Sequence, residues 1–305
     1  MNLAYVSDSL DGLRAAAQRW GGTPDTVRTC GLLIRNQLLY PAELRGHGAT
    51  RYIAAGPNVN GGAMFTRLVV PALVVLTSAC VESRVTETWE SLPGAQSLTI
   101  RSDRGDVEID GRTGRDAVFV EADLFGRAMG KDKAEERRNG TSVTFAEENN
   151  VVTIDARSQF TQAGVTLDAD VPLVLNLDVS TERGDFTATD VEGTHVVDVN
   201  RIWNSFLRGE LDADVGAGGI DLELWPYEDA TVVINTTGDL RLALPAFGPY
   251  DIVIETGFDT ELSVADLGFD ELIDDGGRLI ARRFPATALI DIRATGDSVR
   301  IVEAF

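Results

Sequence analysis

Residues 238–257 read GDLRLALPAFGPYDIVIETG, and this stretch decides the fold. Large apolar residues recur at every second position, first from Leu240 to Leu244 and then at Ile252 and Ile254, as in a strand with one buried face. A turn containing proline and glycine separates the two runs. We therefore predict two short strands, with Leu240, Leu242, Leu244, Ile252 and Ile254 pointing inward and the polar residues between them facing water.

The same plan recurs at residues 219–235, and the chain repeats it with a regular spacing. The glycines that open the units are 19, 19, 19 and 20 residues apart: Gly219, Gly238, Gly257, Gly276 and Gly296. Such a period is typical of a β-solenoid, whose stacked coils bury a core that one coil cannot bury alone. We predict an all-β fold, a single-stranded β-solenoid or β-roll with coils of about 19 residues. An antiparallel sandwich of hairpins, with strands about 8–12 residues apart, is the alternative.

The sequence upstream of these units is less regular. Residues 127–139 are charged and predict a short helix or a long turn. Two runs of strand type, 141–145 and 151–154, flank Asn149 and Asn150, which is a hairpin signal.

Charge divides the chain into two unlike parts. Residues 1–79 hold seven basic and four acidic residues, which leaves twenty basic and forty-four acidic residues in 80–305 and a net charge of −24 there. An anionic chain of this kind repels phosphate groups, so a nucleic-acid partner is excluded. With two cysteines and two histidines in total, neither a disulfide framework nor a histidine-built metal site is expected, and we predict no cofactor and no metal.

Residues 64–80, MFTRLVVPALVVLTSAC, have the order of a signal peptide: a basic residue, an apolar run too short to span a bilayer, and small residues before Cys80. The segment resembles the lipobox of bacterial lipoproteins, with Thr77 in place of the usual aliphatic residue. This resemblance implies cleavage between Ala79 and Cys80, acylation of Cys80, and a membrane partner through the lipid. A buried strand ending in an inert thiol is the alternative.

The signal peptide sets the predicted domain division. Residues 1–63 are interpreted as an upstream extension from a mis-assigned start, disordered or weakly helical, with an internal anchor as the alternative. Residues 64–79 are the signal peptide, 80–96 the lipid anchor and flexible tether, and 97–305 the β domain. The predicted location is the cell envelope, and Val81, in place of an aspartate after the cysteine, favours the outer membrane.

A Gly-Asp pair that is followed within two residues by a large apolar residue recurs at 104–107, 180–186, 237–240 and 295–299. With residues 170–178 and 191–193, it resembles the adhesin-like β-solenoid family of exported bacterial domains, over about residues 97–303. The resemblance implies a solenoid fold at the cell surface and leaves the ligand unknown. Its repeat turns are Gly105, Asp106, Gly184, Asp185, Gly238, Asp239, Gly296 and Asp297.

These turns have several possible roles. Carboxylates at regular spacing suit calcium, and residues 216–224 approach a calcium-roll nonapeptide, but aspartates at turns also accept hydrogen bonds from turn amides. The two Arg-Gly-Asp tripeptides, 104–106 and 183–185, lie at the same turn position, which favours a structural role over integrin binding. A second hypothesis is a glycosidase or polysaccharide lyase that uses a stacked row of carboxylates, Asp221, Asp239, Asp259 and Asp297.

Aromatic residues cluster where residues 201–208 break the period: Trp203, Phe206, Trp225 and Tyr227. If exposed, they are candidate contacts for a sugar or a protein; the alternative is a plug that packs on a neighbouring coil. His195 has no nucleophile motif near it and is interpreted as structural. The function predicted from sequence is a non-catalytic binding or structural module for an unknown protein or glycan, of unassigned oligomeric state.

Overall fold

The computed structural model describes residues 80–257, 259–265 and 267–304, and nearly all of them belong to one compact unit, Ser83–Phe305. The described chain is all-β with one helix, as predicted. Its strands are β1 Val81–Glu90, β2 Ser97–Ser102, β3 Val107–Arg112, β4 Phe119–Ala128, β5 Thr141–Glu148, β6 Val151–Ser158, β7 Ala163–Pro172, β8 Asn176–Thr181, β9 Asp185–Thr189, β10 Val191–Trp225, β11 Thr231–Thr236, β12 Leu240–Leu244, β13 Tyr250–Thr256, β14 Glu261–Val264, β15 Glu271–Asp274, β16 Arg278–Arg282, β17 Ala288–Ala294 and β18 Ser298–Glu303; helix α1 is Lys131–Asn139.

The core is built by the predicted alternation. All five residues predicted to point inward are buried: Leu240, Leu242, Leu244, Ile252 and Ile254. In β2 and β11, as in most of the inner strands, buried positions alternate with partly exposed ones. One face of each strand therefore contributes to a single continuous apolar core.

Two series of paired strands form the unit, mostly in parallel register. The first series joins β6, β2, β8 and residues 195–198 of β10, and then residues 211–215 of β10 with β11, β17 and β13. The second joins β7, β3, β9 and residues 201–202 of β10, and then residues 220–223 of β10 with β12, β18 and β14. A sandwich of antiparallel hairpins does not have this pairing.

The strand order differs from a simple succession of 19-residue units. Strands β2 and β3 lie between β6–β7 and β8–β9, and β17 and β18 lie between β11–β12 and β13–β14. The chain leaves β3 and returns at β6 through a connection that contains the antiparallel strands β4 and β5. It likewise leaves β14 and returns at β17 through the antiparallel strands β15 and β16. Gly276 consequently belongs to the turn between β15 and β16, not to the start of a unit.

The structure corrects the prediction of a flexible tether at the start of the described residues. Residues 81–90 form β1, which pairs with β4, and Asp123 on β4 accepts hydrogen bonds from Arg84 and Thr86. The polar, exposed composition of an edge strand is similar to that of a linker, which explains the difference. Residues 131–139 form α1, and β5 and β6 form an antiparallel hairpin, as predicted.

Arg283, in the connection between β16 and β17, is buried. Its guanidinium donates to the carbonyls of Gly248 and Leu267 and lies against three rings, those of Phe247, Tyr250 and Phe269. In the described part of the chain, no helix has the length and apolar character needed to cross a bilayer.

Candidate functional site

The Gly-Asp turns stack on one another at one corner of the fold. A Cβ atom at Gly184 would lie 2.0 Å from the Gly105 carbonyl oxygen, and one at Gly296 would lie 2.2 Å from that of Gly238. Each of these turns leads into a strand of the second series, namely β3, β9, β12 and β18. The signature glycines are therefore positions where adjacent backbones approach too closely for any side chain.

Two of the signature aspartates join neighbouring turns. Asp106 accepts a hydrogen bond from the backbone N–H of Asp185, at 2.9 Å, and Asp239 accepts one from Ser298, also at 2.9 Å. The two Arg-Gly-Asp tripeptides thus lie against each other in adjacent turns. Among the described residues, no three acidic, histidine or cysteine side chains are grouped in a way that would hold a metal ion. These contacts match the expectation that turn aspartates accept hydrogen bonds from backbone amides.

An open groove lies on the outer surface of the second strand series. Its volume is about 400 Å³, and side chains from β10, β12 and β18 surround it. The outward-facing groups that line it are Arg201, Trp203, Asp221, Asp239, Arg241, Ser298 and Arg300. We call this the Trp203 groove.

Trp203 is held at the edge of this groove by a local break in alternation. Trp203 and Asn204 are both exposed, between buried Ile202 and Ser205, and Asn204 has a φ of 46°, in the left-handed region. The break that the sequence indicates is therefore a kink within the continuous strand β10. The Arg201 guanidinium lies 4.0 Å from the Trp203 ring centroid, which holds the indole in place while 47% of the residue remains exposed.

The other predicted aromatics form a separate cluster outside the groove. The rings of Phe206 and Trp225 pack edge to face with their centroids 6.1 Å apart, and the Arg208 guanidinium lies over both rings. Burial and the neighbouring Glu192 raise the pKa of Tyr227 to about 12. Trp225 and Tyr227 are 40% and 39% exposed. Trp203, Trp225 and Tyr227 are therefore partly exposed, and Trp225 also packs on Phe206, as the plug interpretation expects.

Charge in the groove is divided between paired and unpaired arginines. Arg241 forms an ion pair of 2.7 Å with Asp221, and Arg201 pairs with Asp185 at 3.3 Å. Arg300 lies beside Arg241 in parallel register, and no described carboxylate lies within ion-pair distance of its guanidinium. Arg300 is therefore the arginine of the groove that has no carboxylate partner among the described residues, and Asp239 is the carboxylate that has no arginine partner.

The aspartates proposed for catalysis do not form a row. In the strand register, Asp221 lies opposite Arg241, and Asp239 occupies the position next to Leu240, opposite Gly219 and Ser298. Asp297 precedes Ser298 and is offset again by one position. Because the offsets between consecutive paired segments are 18, 16, 21 and 20 residues, a constant period of 19 placed these carboxylates in register wrongly.

His195 is buried on β10, away from the groove. Its Nε2 atom lies 3.2 Å from the Arg208 carbonyl oxygen, and its Nδ1 atom makes no hydrogen bond of good geometry. The Val191 carbonyl is nevertheless close enough to favour the protonated ring. Loss of hydration lowers the pKa of His195 to about 4, against the opposing effect of both carbonyls. A buried neutral imidazole agrees with the structural interpretation.

Ala79 and the signal peptide lie outside the described residues, so lipidation and cleavage remain predictions. Cys80 itself is described and is disulfide-bonded. This differs from the sequence-based expectation of no disulfide. The only other cysteine of the chain, Cys30, lies outside the described residues.

No protein-family profile and no curated protein match this chain. Among solved structures, it is similar to a "putative cell adhesion protein" of Clostridium sporogenes, with a TM-score of 0.44 and 11% identity over 73% of this chain and 100% of that one. It is also similar to a "putative lipid binding protein" of Parabacteroides distasonis (TM-score 0.31, 11% identity, 72% and 97% covered) and to a "putative adhesin" of Bacteroides fragilis (0.26, 8%, 72% and 97%). Similarity at this level assigns no function.

Proposed function

We propose that this chain is a non-catalytic binding module at the bacterial cell surface, built as a β-solenoid and held to the membrane by a lipid on Cys80. The observation that carries the proposal is the Trp203 groove. An exposed indole and three guanidinium groups are presented there by neighbouring strands. Side chains on paired strands are held more firmly than side chains on loops, so the groove is preorganised for binding.

The carboxylates of the groove support binding rather than acid/base chemistry. Asp221 is engaged by Arg241, and one oxygen of Asp239 accepts the Ser298 amide. Both groups are therefore held in structural contacts, and each has lone pairs left for a bound ligand.

The proposal is tested by screening the full-length chain on glycan and protein arrays beside a Trp203→Ala/Arg300→Gln double variant. Ligands that bind the wild-type chain and are lost in the double variant support a binding module that uses this groove. A set of ligands that the two proteins bind equally would contradict it.

A further inference from the structure

We infer that the Trp203 groove binds a short acidic saccharide, with one sugar ring on the Trp203 indole and the carboxylate of the neighbouring ring at Arg300. The inference rests on the proposed function, because it names the ligand class of the same groove. It follows from three features: the free charge of Arg300, the unused acceptors of two aspartates, and the dimensions of the groove.

The first feature is the pair of adjacent arginines. Arg241 and Arg300 are direct neighbours on parallel strands β12 and β18, and only Arg241 has a carboxylate partner within the described chain. Like charges placed side by side destabilise a sheet, and an anion between them removes that repulsion. A guanidinium binds a planar carboxylate through two parallel hydrogen bonds, so a carboxylate suits Arg300 well.

The second feature separates a sugar from a simple anion. Asp221 and Asp239 line the same groove and offer carboxylate oxygens, which only accept hydrogen bonds. A sulfate ion has no hydrogen-bond donor to give them and would be repelled by their charge. A polyol that carries one carboxylate satisfies both sets, because its hydroxyl groups donate to the aspartates while its carboxylate accepts from Arg300.

The third feature is size. Four neighbouring segments line the groove in order: residues 201–203 of β10, residues 218–221 of β10, β12 and β18. Trp203 and Arg300 lie on the first and the last of them, three strand spacings apart, or about 14 Å at about 4.8 Å per spacing. A groove of about 400 Å³ along this distance holds two sugar rings, since one ring alone is too short to reach from Trp203 to Arg300. A long polyanion is disfavoured, because the chain as a whole carries a net charge of −21 and would repel the parts of it that extend beyond the groove.

Isothermal titration calorimetry of the full-length chain with two acidic disaccharides, sodium cellobiouronate and N-acetylneuraminyl-galactose, tests the inference. We expect dissociation constants on the order of 1 mM or below for at least one of them, and binding at least about tenfold weaker for the neutral disaccharides cellobiose and galactobiose. Arg300→Gln and Trp203→Ala should each weaken binding of the acidic sugar at least about tenfold.

Two matched variants serve as controls. Arg278→Gln removes an exposed guanidinium from β16, which pairs with β13 outside the groove, and Trp225→Ala removes an indole of similar exposure outside the groove. Both should leave the affinity within about twofold of wild type.

Equal affinity for acidic and neutral sugars would overturn the inference, as would an Arg300→Gln variant with unchanged affinity. Acetate or sulfate that binds as tightly as the acidic sugars would overturn it too, since the groove would then be a simple anion site. If the arrays show a neutral glycan or a peptide that depends on Trp203, the binding module stands and the acidic-sugar inference fails. If no ligand depends on the groove, both fail.

Discussion

The carboxylate of Asp239 accepts a 2.9 Å hydrogen bond from the backbone N–H of Ser298, a residue that lies fifty-nine positions later in the chain. Asp106 makes the same bond to Asp185 at the other end of the strand series. The Gly-Asp signature therefore joins turns of adjacent strands that are far apart in sequence. Its glycine permits close approach, and its aspartate satisfies an amide that strand pairing leaves without a partner.

Asp239 and Asp297 form a matched pair for measuring this bond. Both follow Thr-Gly in a signature turn and both are exposed, but the described structure gives Asp297 no side-chain hydrogen bond. We expect Asp239→Ala to lower the free energy of unfolding by about 1–2 kcal/mol, and Asp297→Ala to change it by less than about 0.5 kcal/mol. Urea denaturation followed by circular dichroism measures both. Equal losses in the two variants would show that the turn bond does not stabilise the fold.

Gly105 tests the close approach of the backbones. Its φ is 116°, and a Cβ atom there would lie 1.9 Å from the Val165 carbonyl oxygen. Gly105→Ala should destabilise the protein by about 3 kcal/mol or more, because strand β7 must move. Gly114 is the control: its φ is 77°, and its surroundings are open.

Gly114→Ala should cost only the strain of the left-handed conformation, about 1–2 kcal/mol. The difference between the two variants in the same denaturation experiment isolates the backbone contact. If Gly105→Ala is no more destabilising than Gly114→Ala, the turns are not packed as closely as the structure indicates.

Local features of this fold were predictable from sequence, and the pairing of distant strands was not. Alternation identifies Leu240 and Ile252 as core residues, because burial depends on the strand's own period. Nothing in that pattern specifies that β2 lies between β6 and β8, since most inner strands present similar apolar faces to their neighbours. The Trp203 groove shares this limit. Its arginines come from positions 201, 241 and 300, and only the three-dimensional register brings them together.

His195 should make stability depend on pH. Its pKa is lowered to about 4 in the folded chain, from an ordinary value of 6.5, so between these values the unfolded chain binds the proton that the folded chain excludes. Its contribution is fully present above pH 6.5 and is lost as the pH falls toward 4, by about 3 kcal/mol in total.

The measurement is urea denaturation from pH 7.5 to 4.5 for the wild-type chain and for His195→Gln. Carboxylates titrate in both proteins, so the difference between the two curves isolates the imidazole. We expect the wild-type stability to fall more steeply than that of the variant below pH 6.5, whatever the variant's stability at pH 7.5. Parallel curves would mean that His195 is protonated in the folded state as readily as in the unfolded state.

Cys80 can carry a lipid or a disulfide bond, but one sulfur atom cannot carry both. If the lipobox resemblance holds, the mature chain begins at Cys80 with a diacylglyceryl thioether, and Cys30 is removed with the upstream residues. Two acyl chains anchor a protein stably, at about 0.8 kcal/mol for each buried methylene group, whereas one chain does not.

We therefore expect protein extracted from its own cells to show an intact mass that begins at acylated Cys80, and Cys80→Ser to leave the membrane fraction. A chain that retains residues 1–79 and gains two hydrogens on reduction would contradict lipidation and support the disulfide. A Cys80→Ser variant that stays membrane-bound would show that something other than this sulfur holds the protein there, and the surface proposal would lose its anchor even if the groove binds its ligand.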